Sequence, residues 1–159
     1  MPNNINSFAG LLANNLRVGA VLYKHCNFTT PPKFKYFVVA SIHPRLLILL
    51  INTEINQFYL SSGLDQFHVL VPVADHDFLD HDSYTNCVES HASFDYSDIR
   101  GEVIADYQNI FKGWLTDDCL EEVYHAVKNN NVIRRGHQKE IISSIEQKLS
   151  HLQSTTHTE

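Results

Sequence analysis

The sequence has few cysteines, no long apolar run and no excess of positive charge. Its three cysteines, Cys26, Cys87 and Cys119, are scattered through 159 residues and form no Cys-x-x-Cys pair. The small, odd number of cysteines argues against a disulfide-rich scaffold, and the lack of a Cys-x-x-Cys pair argues against a zinc ribbon. The longest apolar run, residues 46–51, is much too short to cross a membrane. The sequence therefore favours a globular protein without a membrane span.

Charge and composition narrow the functional classes further. The chain carries a formal net charge of −6 at pH 7, with ten histidines that charge only at mildly acidic pH. An acidic chain repels polyphosphate on average, so a nucleic-acid site has to be a local basic patch. The 43% hydrophobic and 19% charged content is typical of a folded domain. Because residues 1–4 lack the basic region and long apolar run of a secretory signal, we expect a cytoplasmic, thiol-reducing setting.

Two apolar segments, residues 37–40 and 46–51, predict a buried hairpin around which the rest of the chain is organised. The breaker pair His43-Pro44 lies between them. Antiparallel pairing would bring Lys35, which enters the first strand, close to Thr53, which follows the second. The sequence therefore predicts that a cation and a hydroxyl meet at one end of this hairpin.

The remaining pattern consists of short strands between polar turns, followed by helices. Apolar residues recur at helical spacing over residues 3–17. Further strands are predicted at residues 19–23, 67–71 and 83–88. After residue 97 the spacing favours helices, one capped by Thr116 and a last one opened by Arg134. This order indicates a compact antiparallel barrel or sandwich with helices around it.

In their order and spacing, these pieces resemble the MazF/PemK family of toxin-like proteins. The matching segments are an opening strand at residues 19–22, apolar strands at 35–41 and 49–53, a turn and strand at 79–87, a short pairing at 94–95 and a Gly-x-Leu-Thr helix start at 113–116. The resemblance implies a fold that is mainly β with peripheral helices, a small SH3-like antiparallel barrel over residues 18–130. Residues 1–17 would then be an N-terminal helix, and residues 131–159 a C-terminal helix with a loose tail.

The resemblance also implies a function. Active toxins of the family dimerise, cut single-stranded RNA without a metal ion and are silenced by acidic antitoxin segments. It therefore implies a metal-independent endoribonuclease of a toxin-antitoxin or defence locus, with no cofactor. The implied partners are an RNA substrate, a second copy of the chain, and a cognate antitoxin or partner subunit.

Five catalytic residues follow from the resemblance, position by position. The family's phosphate-binding basic residue falls on Lys35, and its hydroxyl falls on Thr53. Proton transfer falls to His25, in the polar connection over residues 24–33, together with Asp80 or His81. This set suits RNA cleavage, which needs a base for the 2′-hydroxyl, an acid for the leaving oxygen and donors on the phosphorane.

Two departures from the family pattern support a second interpretation. Lys35 replaces an arginine and offers a point charge instead of a two-pronged contact, and Tyr36 replaces the usual proline. In the enzyme interpretation, Lys24 and Lys33 are the neighbouring cations that would bind RNA.

The alternative to an active enzyme is a catalytically silent barrel that serves as a protein-interaction module, with the helices at residues 3–17 and 141–152 as docking surfaces.

A third interpretation concerns the acidic, histidine-rich segment at residues 75–82. Its carboxylates and imidazoles, with His91 as a further ligand, could hold a divalent metal ion. The alternative is an ordinary turn, since Asp is a common turn former and the spacing matches no established zinc motif. Cys87 and Cys119 fall within a strand and a helix pattern, so we expect them to be small core residues.

Overall fold

The predicted hairpin forms the centre of a six-stranded antiparallel sheet. The structure is a computed structural model that describes residues 2–152, with side chains described from residue 8 onward. The strands are Ala20–Cys26 (β1), Lys33–Ser41 (β2), Leu47–Asn52 (β3), His68–Val71 (β4), Ser83–Asn86 (β5) and Phe111–Trp114 (β6). The helices are Pro2–Ala13 (α1), Gln57–Ser61 (α2), Tyr96–Ala105 (α3), Tyr107–Ile110 (α4), Asp117–Lys128 (α5) and Arg135–Lys148 (α6). The tail predicted at residues 154–159 lies outside the described residues.

The sheet has the strand order β4-β5-β3-β2-β1-β6 and curls into a half-barrel. Neighbouring strands run antiparallel throughout, and β4 and β6 form the two edges. Helices pack on both faces of this sheet. The architecture therefore confirms an antiparallel sheet with peripheral helices.

The two faces of the central hairpin are buried in different parts of the core. Val38 and Leu49 pack on one face, in a cluster that contains the apolar stripes of α5 and α6. Phe37 and Ile48 pack on the other face, in a cluster with residues of α3 and α4. Strands buried on both faces have continuous apolar runs instead of an alternating pattern. This double burial explains why residues 37–40 and 46–51 are uniformly apolar.

The helix α5 begins and ends where its local sequence predicts. The side-chain oxygen of Thr116 accepts a hydrogen bond from the backbone N–H of Cys119 at 3.2 Å, which is a standard N-cap. Asp117 and Asp118 lie in the first turn, where negative charge stabilises the helix dipole. The helix ends at Asn129, its C-cap.

The structure corrects three local predictions. Strands β1 and β2 are longer than predicted, so the connection between them is only residues 27–32, and His25 lies in β1 instead of in a loop. The strand β6 was not predicted; its Gly113 passes so close to Phe78 that a Cβ there would lie 2.8 Å from the ring. The short pairing expected at residues 94–95 is instead a bridge between Ile48 and His91.

No helix within residues 2–152 is long and apolar enough to cross a bilayer.

A buried asparagine joins the C-terminal helices to the sheet. The side-chain amide of Asn130 donates to the Cys87 carbonyl at 2.8 Å, and its oxygen accepts from the N–H groups of Val132 and Ile133 at 2.8 and 3.1 Å. Its own carbonyl accepts a hydrogen bond from Gln138 of α6. The turn between α5 and α6 is therefore fixed to the segment that follows β5.

We expect Asn130→Ala to lower the free energy of unfolding by about 3 kcal/mol, because it leaves two buried main-chain groups and one partly buried group without this partner. Asn131→Ala removes the same side chain from an exposed neighbouring position and should stay within about 0.5 kcal/mol of wild type. Urea denaturation of the three proteins measures the difference. Equal losses in both variants would contradict the anchoring role of Asn130.

Candidate functional site

A cleft of about 960 Å³ opens at the end of the hairpin where β2 begins and β3 ends. Lys33 and Lys35 from β2, Asn52 from β3 and Thr53 immediately after β3 lie along one wall. Lys33 and Lys35 are two residues apart, so they share one side of their strand. The cation and the hydroxyl predicted to meet at this end of the hairpin therefore line the same cleft.

Lys35 is a half-buried cation held by a neutral group. Its Nζ donates a hydrogen bond to Oδ1 of Asn52. Burial lowers the pKa of Lys35, and the positive charge of Lys33 lowers it further, while the Cys26 thiol acts in the opposite direction. None of the ion pairs found in residues 8–152 includes Lys35. Lys35 can therefore interact with an anion that enters the cleft.

A second set of lining residues, called here the acid–base wall, carries groups that exchange or hold protons. The hydroxyl of Tyr59 accepts a hydrogen bond from the side-chain amide of Asn86 at 3.1 Å. Burial raises the pKa of Tyr59, and Glu89 also favours the protonated phenol. The ring of His68 lies 4.8 Å from that of Tyr59, measured between centroids. This wall therefore holds a protonated phenol beside an imidazole and a carboxylate.

His91 is a second imidazole of the cleft, and its backbone is paired with the central strand β3. Its N–H and C=O groups exchange two hydrogen bonds of 3.0 Å with Ile48 of β3. Its ring lies 4.7 Å from the ring of Phe28, and its Nε2 lies 4.0 Å from a carboxylate oxygen of Glu89. Burial lowers the pKa of His91, an effect that Glu89 opposes. A neutral imidazole near pH 7 can accept a proton, which is what a general base must do.

The segment that carries these groups is itself anchored to α6. Between Glu89 and His91, the hydroxyl of Ser90 lies 2.7 Å from Nδ1 of His137 in the first turn of α6. Burial lowers the pKa of His137, and the charges of Arg134 and Arg45 lower it further. His137 is therefore mainly neutral, and it holds the Ser90 hydroxyl in place.

The structure separates the predicted proton-transfer residues from Lys35. His25 pairs with Phe34 and lies on the side of the sheet opposite to Lys35, with its ring 5.4 Å from that of Phe34. Asp80 acts on Tyr36, whose pKa is raised first by burial and then by this carboxylate. Tyr36 and Lys35 are consecutive in β2, so their side chains lie on opposite faces. Neither His25, Asp80 nor His81 lines the cleft.

The two predicted RNA-binding lysines also differ. Lys33 is exposed and lines the cleft. Lys24 lies 4.2 Å from the centroid of the Phe94 ring and 3.6 Å from a carboxylate oxygen of Glu102. Lys24 is therefore already paired within the fold. It lies on the same face of the sheet as Lys35 but does not line the cleft.

The segment at residues 75–82 forms a turn. His76 is buried, with Nδ1 2.8 Å from the Pro72 carbonyl, and its Nε2 accepts a hydrogen bond from the N–H of Thr116. Asp82 accepts a hydrogen bond from the N–H of Val73. Across the part of the chain that the structure describes, no three His, Cys, Asp or Glu side chains are grouped to hold a metal ion. The metal site considered for this segment is therefore not formed.

The cysteines are core residues, as predicted for Cys87 and Cys119. All three cysteines are buried free thiols. Burial raises the pKa of Cys119 to about 12 and raises the pKa of Cys87 and Cys26 as well. A protonated, buried thiol is a poor nucleophile.

The chain matches no known protein-family model and no curated protein. Its function therefore has to be inferred from the geometry of the cleft.

We expect the amino group of Lys35 to titrate below the ordinary lysine value of about 10.4. Lys33→Gln should raise the pKa of Lys35 without restoring that value, because burial remains the larger cause. Side-chain ¹⁵N chemical shifts followed between pH 7 and 11 measure both effects.

Lys139→Gln is the matched control, since Lys139 is an exposed residue of α6 that does not line the cleft. It should leave the titration of Lys35 unchanged. An ordinary pKa for Lys35 in the wild type would show that the side chain is not desolvated in the cleft.

Proposed function

We propose that the cleft binds and cleaves single-stranded RNA without a metal ion, and that the half-barrel is a divergent SH3-like barrel of the MazF/PemK type. The observation that carries this proposal is that the half-buried Lys35 lines the same cleft as Thr53 and the partly buried imidazole of His91. This set supplies charge, a hydroxyl donor and a base. Each is a group that phosphodiester cleavage by a 2′-hydroxyl requires.

The chemistry assigns a role to His91 and to Thr53, and two roles to Lys35. His91 takes the proton of the 2′-hydroxyl as its oxygen attacks phosphorus, so that the 2′-O–P bond forms. Lys35 and Thr53 donate hydrogen bonds to the phosphorane oxygens, where negative charge develops. The P–O5′ bond then breaks, and the 5′-oxygen receives its proton from the ammonium of Lys35, whose lowered pKa favours that transfer. The products are a 2′,3′-cyclic phosphate and a 5′-hydroxyl.

The charge of the chain sets a condition on binding. With a net charge of −6, the protein has to attract a polyanion locally, and Lys33 and Lys35 provide two adjacent positive charges at the cleft. The same resemblance extends the proposal to a cytoplasmic toxin that forms a homodimer and is covered by a cognate antitoxin or partner subunit. Phe58 and Leu60 of α2, which are 64% and 46% exposed, offer apolar surface beside the cleft for such a partner.

A second candidate function is the catalytically silent interaction module. Phe8 and Leu11 of α1 are 64% and 65% exposed, which leaves an apolar surface on this helix. The other predicted docking surface is not available, because Ile141 and Ile145 of α6 are buried against the sheet. The interaction module would therefore use α1.

We expect the purified protein to cleave a long, unstructured RNA in the presence of excess chelator. Lys35→Ala, Thr53→Ala and His91→Ala should each slow cleavage about a hundredfold or more, because each removes a group that acts in the transition state. Gel analysis of the RNA measures the rates, and thermal unfolding confirms that the variants are folded.

The controls are His25→Ala, Asp80→Ala and His81→Ala, which change residues outside the cleft and should keep the wild-type rate. Loss of activity in these controls, with His91→Ala still active, would move proton transfer to the opposite face of the sheet. If the wild type does not cut RNA at any concentration, the enzyme proposal fails and the interaction module replaces it.

A further inference from the structure

A second pocket, of about 460 Å³, lies at the other end of the hairpin. It is formed by the segment after α1, the turn between β2 and β3, and the second half of α6. The polar side chains that line it are Arg17, His43, Ser143, Ser144, Gln147 and Lys148. Among the described residues, no Asp or Glu lines it. Ile42 in this pocket follows Lys35 in the cleft by seven residues along an extended strand, which separates the two by roughly 23 Å at about 3.3 Å per residue.

Two cations of this pocket share one aromatic ring. The guanidinium carbon of Arg17 lies 5.2 Å from the centroid of the Trp114 ring, and Nζ of Lys148 lies 5.1 Å from it. The two positive charges are thus within about 10 Å of each other, roughly one Debye length at physiological salt. A guanidinium stacked on an aromatic face keeps its N–H groups free for a two-pronged contact with phosphate.

The absence of a side chain at Gly19 lets Lys148 approach the backbone closely. Gly19 has a φ of +94°, a conformation that glycine adopts readily and other residues do not. A Cβ at this position would lie 3.4 Å from Cε of Lys148 and 3.5 Å from a methyl group of Leu120. The aliphatic part of Lys148 therefore passes directly over Gly19, and its ammonium group reaches the Trp114 ring.

Within residues 8–152, these two charges have no carboxylate partner. None of the ion pairs found in residues 8–152 includes Arg17 or Lys148, although the chain as a whole is acidic. Lys148 lies in the last turn of α6, where a cation stabilises the helix dipole, but that role requires neither Arg17 nor an aromatic ring. Among the described residues, the lining of this pocket therefore offers two cations and no carboxylate, a set that is complementary to an anion.

We propose that this pocket binds the phosphate group of a small phosphorylated molecule, such as a nucleoside monophosphate. Arg17 and Lys148 bind the phosphate oxygens, and Ser143 and Gln147 provide further hydrogen-bond donors. The pocket volume lies within the range of about 300–1,000 Å³ that is typical of small-molecule sites. This phosphate site is separate from the cleft. The proposal therefore does not depend on the function proposed for the cleft.

Trp114 allows a direct test, because it is the only tryptophan of the chain. We expect its fluorescence to change when the full-length protein is titrated with inorganic phosphate or AMP at low salt, with half-saturation below about 1 mM. Arg17→Gln and Lys148→Gln should each weaken binding tenfold or more. Lys139→Gln removes a positive charge from the same helix outside the pocket and should not weaken it.

The remaining outcomes distinguish a small phosphorylated ligand from RNA, and binding in this pocket from binding in the cleft. Saturable binding of AMP and phosphate that survives Lys35→Ala supports the proposal, even if the protein never cuts RNA. A response to a short RNA alone, with none to phosphate or AMP, overturns it in favour of a surface for the RNA backbone. The proposal also fails if no probe changes the fluorescence or the thermal midpoint, or if Lys139→Gln weakens binding as much as Arg17→Gln.

Discussion

The hairpin of β2 and β3 is buried on both faces over its middle and reaches solvent only at its ends. Apolar residues fill both faces, so the helices on either side are held by the same two strands. Polar chemistry is thereby confined to the two ends. One end carries Lys35 and Thr53, and the other end, at His43, borders the pocket of Arg17 and Lys148. The distance between the two candidate sites is set by the length of a strand.

Local patterns predicted the parts of the fold that local interactions determine. The double burial of the hairpin appears as two continuous apolar runs, and the N-cap at Thr116 is formed by neighbours in sequence. The ends of β1 and β2 were missed because their residues are polar, and only cross-strand pairing makes them strand. That error placed His25 in a loop. Once it is in β1, strand alternation puts it on the face away from Lys35.

The acid–base wall of the cleft could not be predicted, because it is created by contacts between distant segments. His91 reaches the cleft through its two backbone hydrogen bonds to Ile48, and Tyr59 through the side chain of Asn86. No spacing in the sequence signals either contact. The charges show a similar dependence on distant partners: Lys24 is neutralised by Glu102 and Arg45 by Glu140, whereas Lys35 is held by a neutral amide.

The segment with Glu89 and His91 is tied to the C-terminal helices at two points. Asn130 holds the carbonyl of Cys87, and His137 holds the hydroxyl of Ser90. The position of this segment, and with it one side of the cleft, therefore depends on α6. No residue of α6 lines the cleft itself. A molecule that loosened α6 from the sheet would distort the cleft without entering it. A molecule that alters this cleft therefore need not resemble the ligand that the cleft binds, because it can act from the back of the fold.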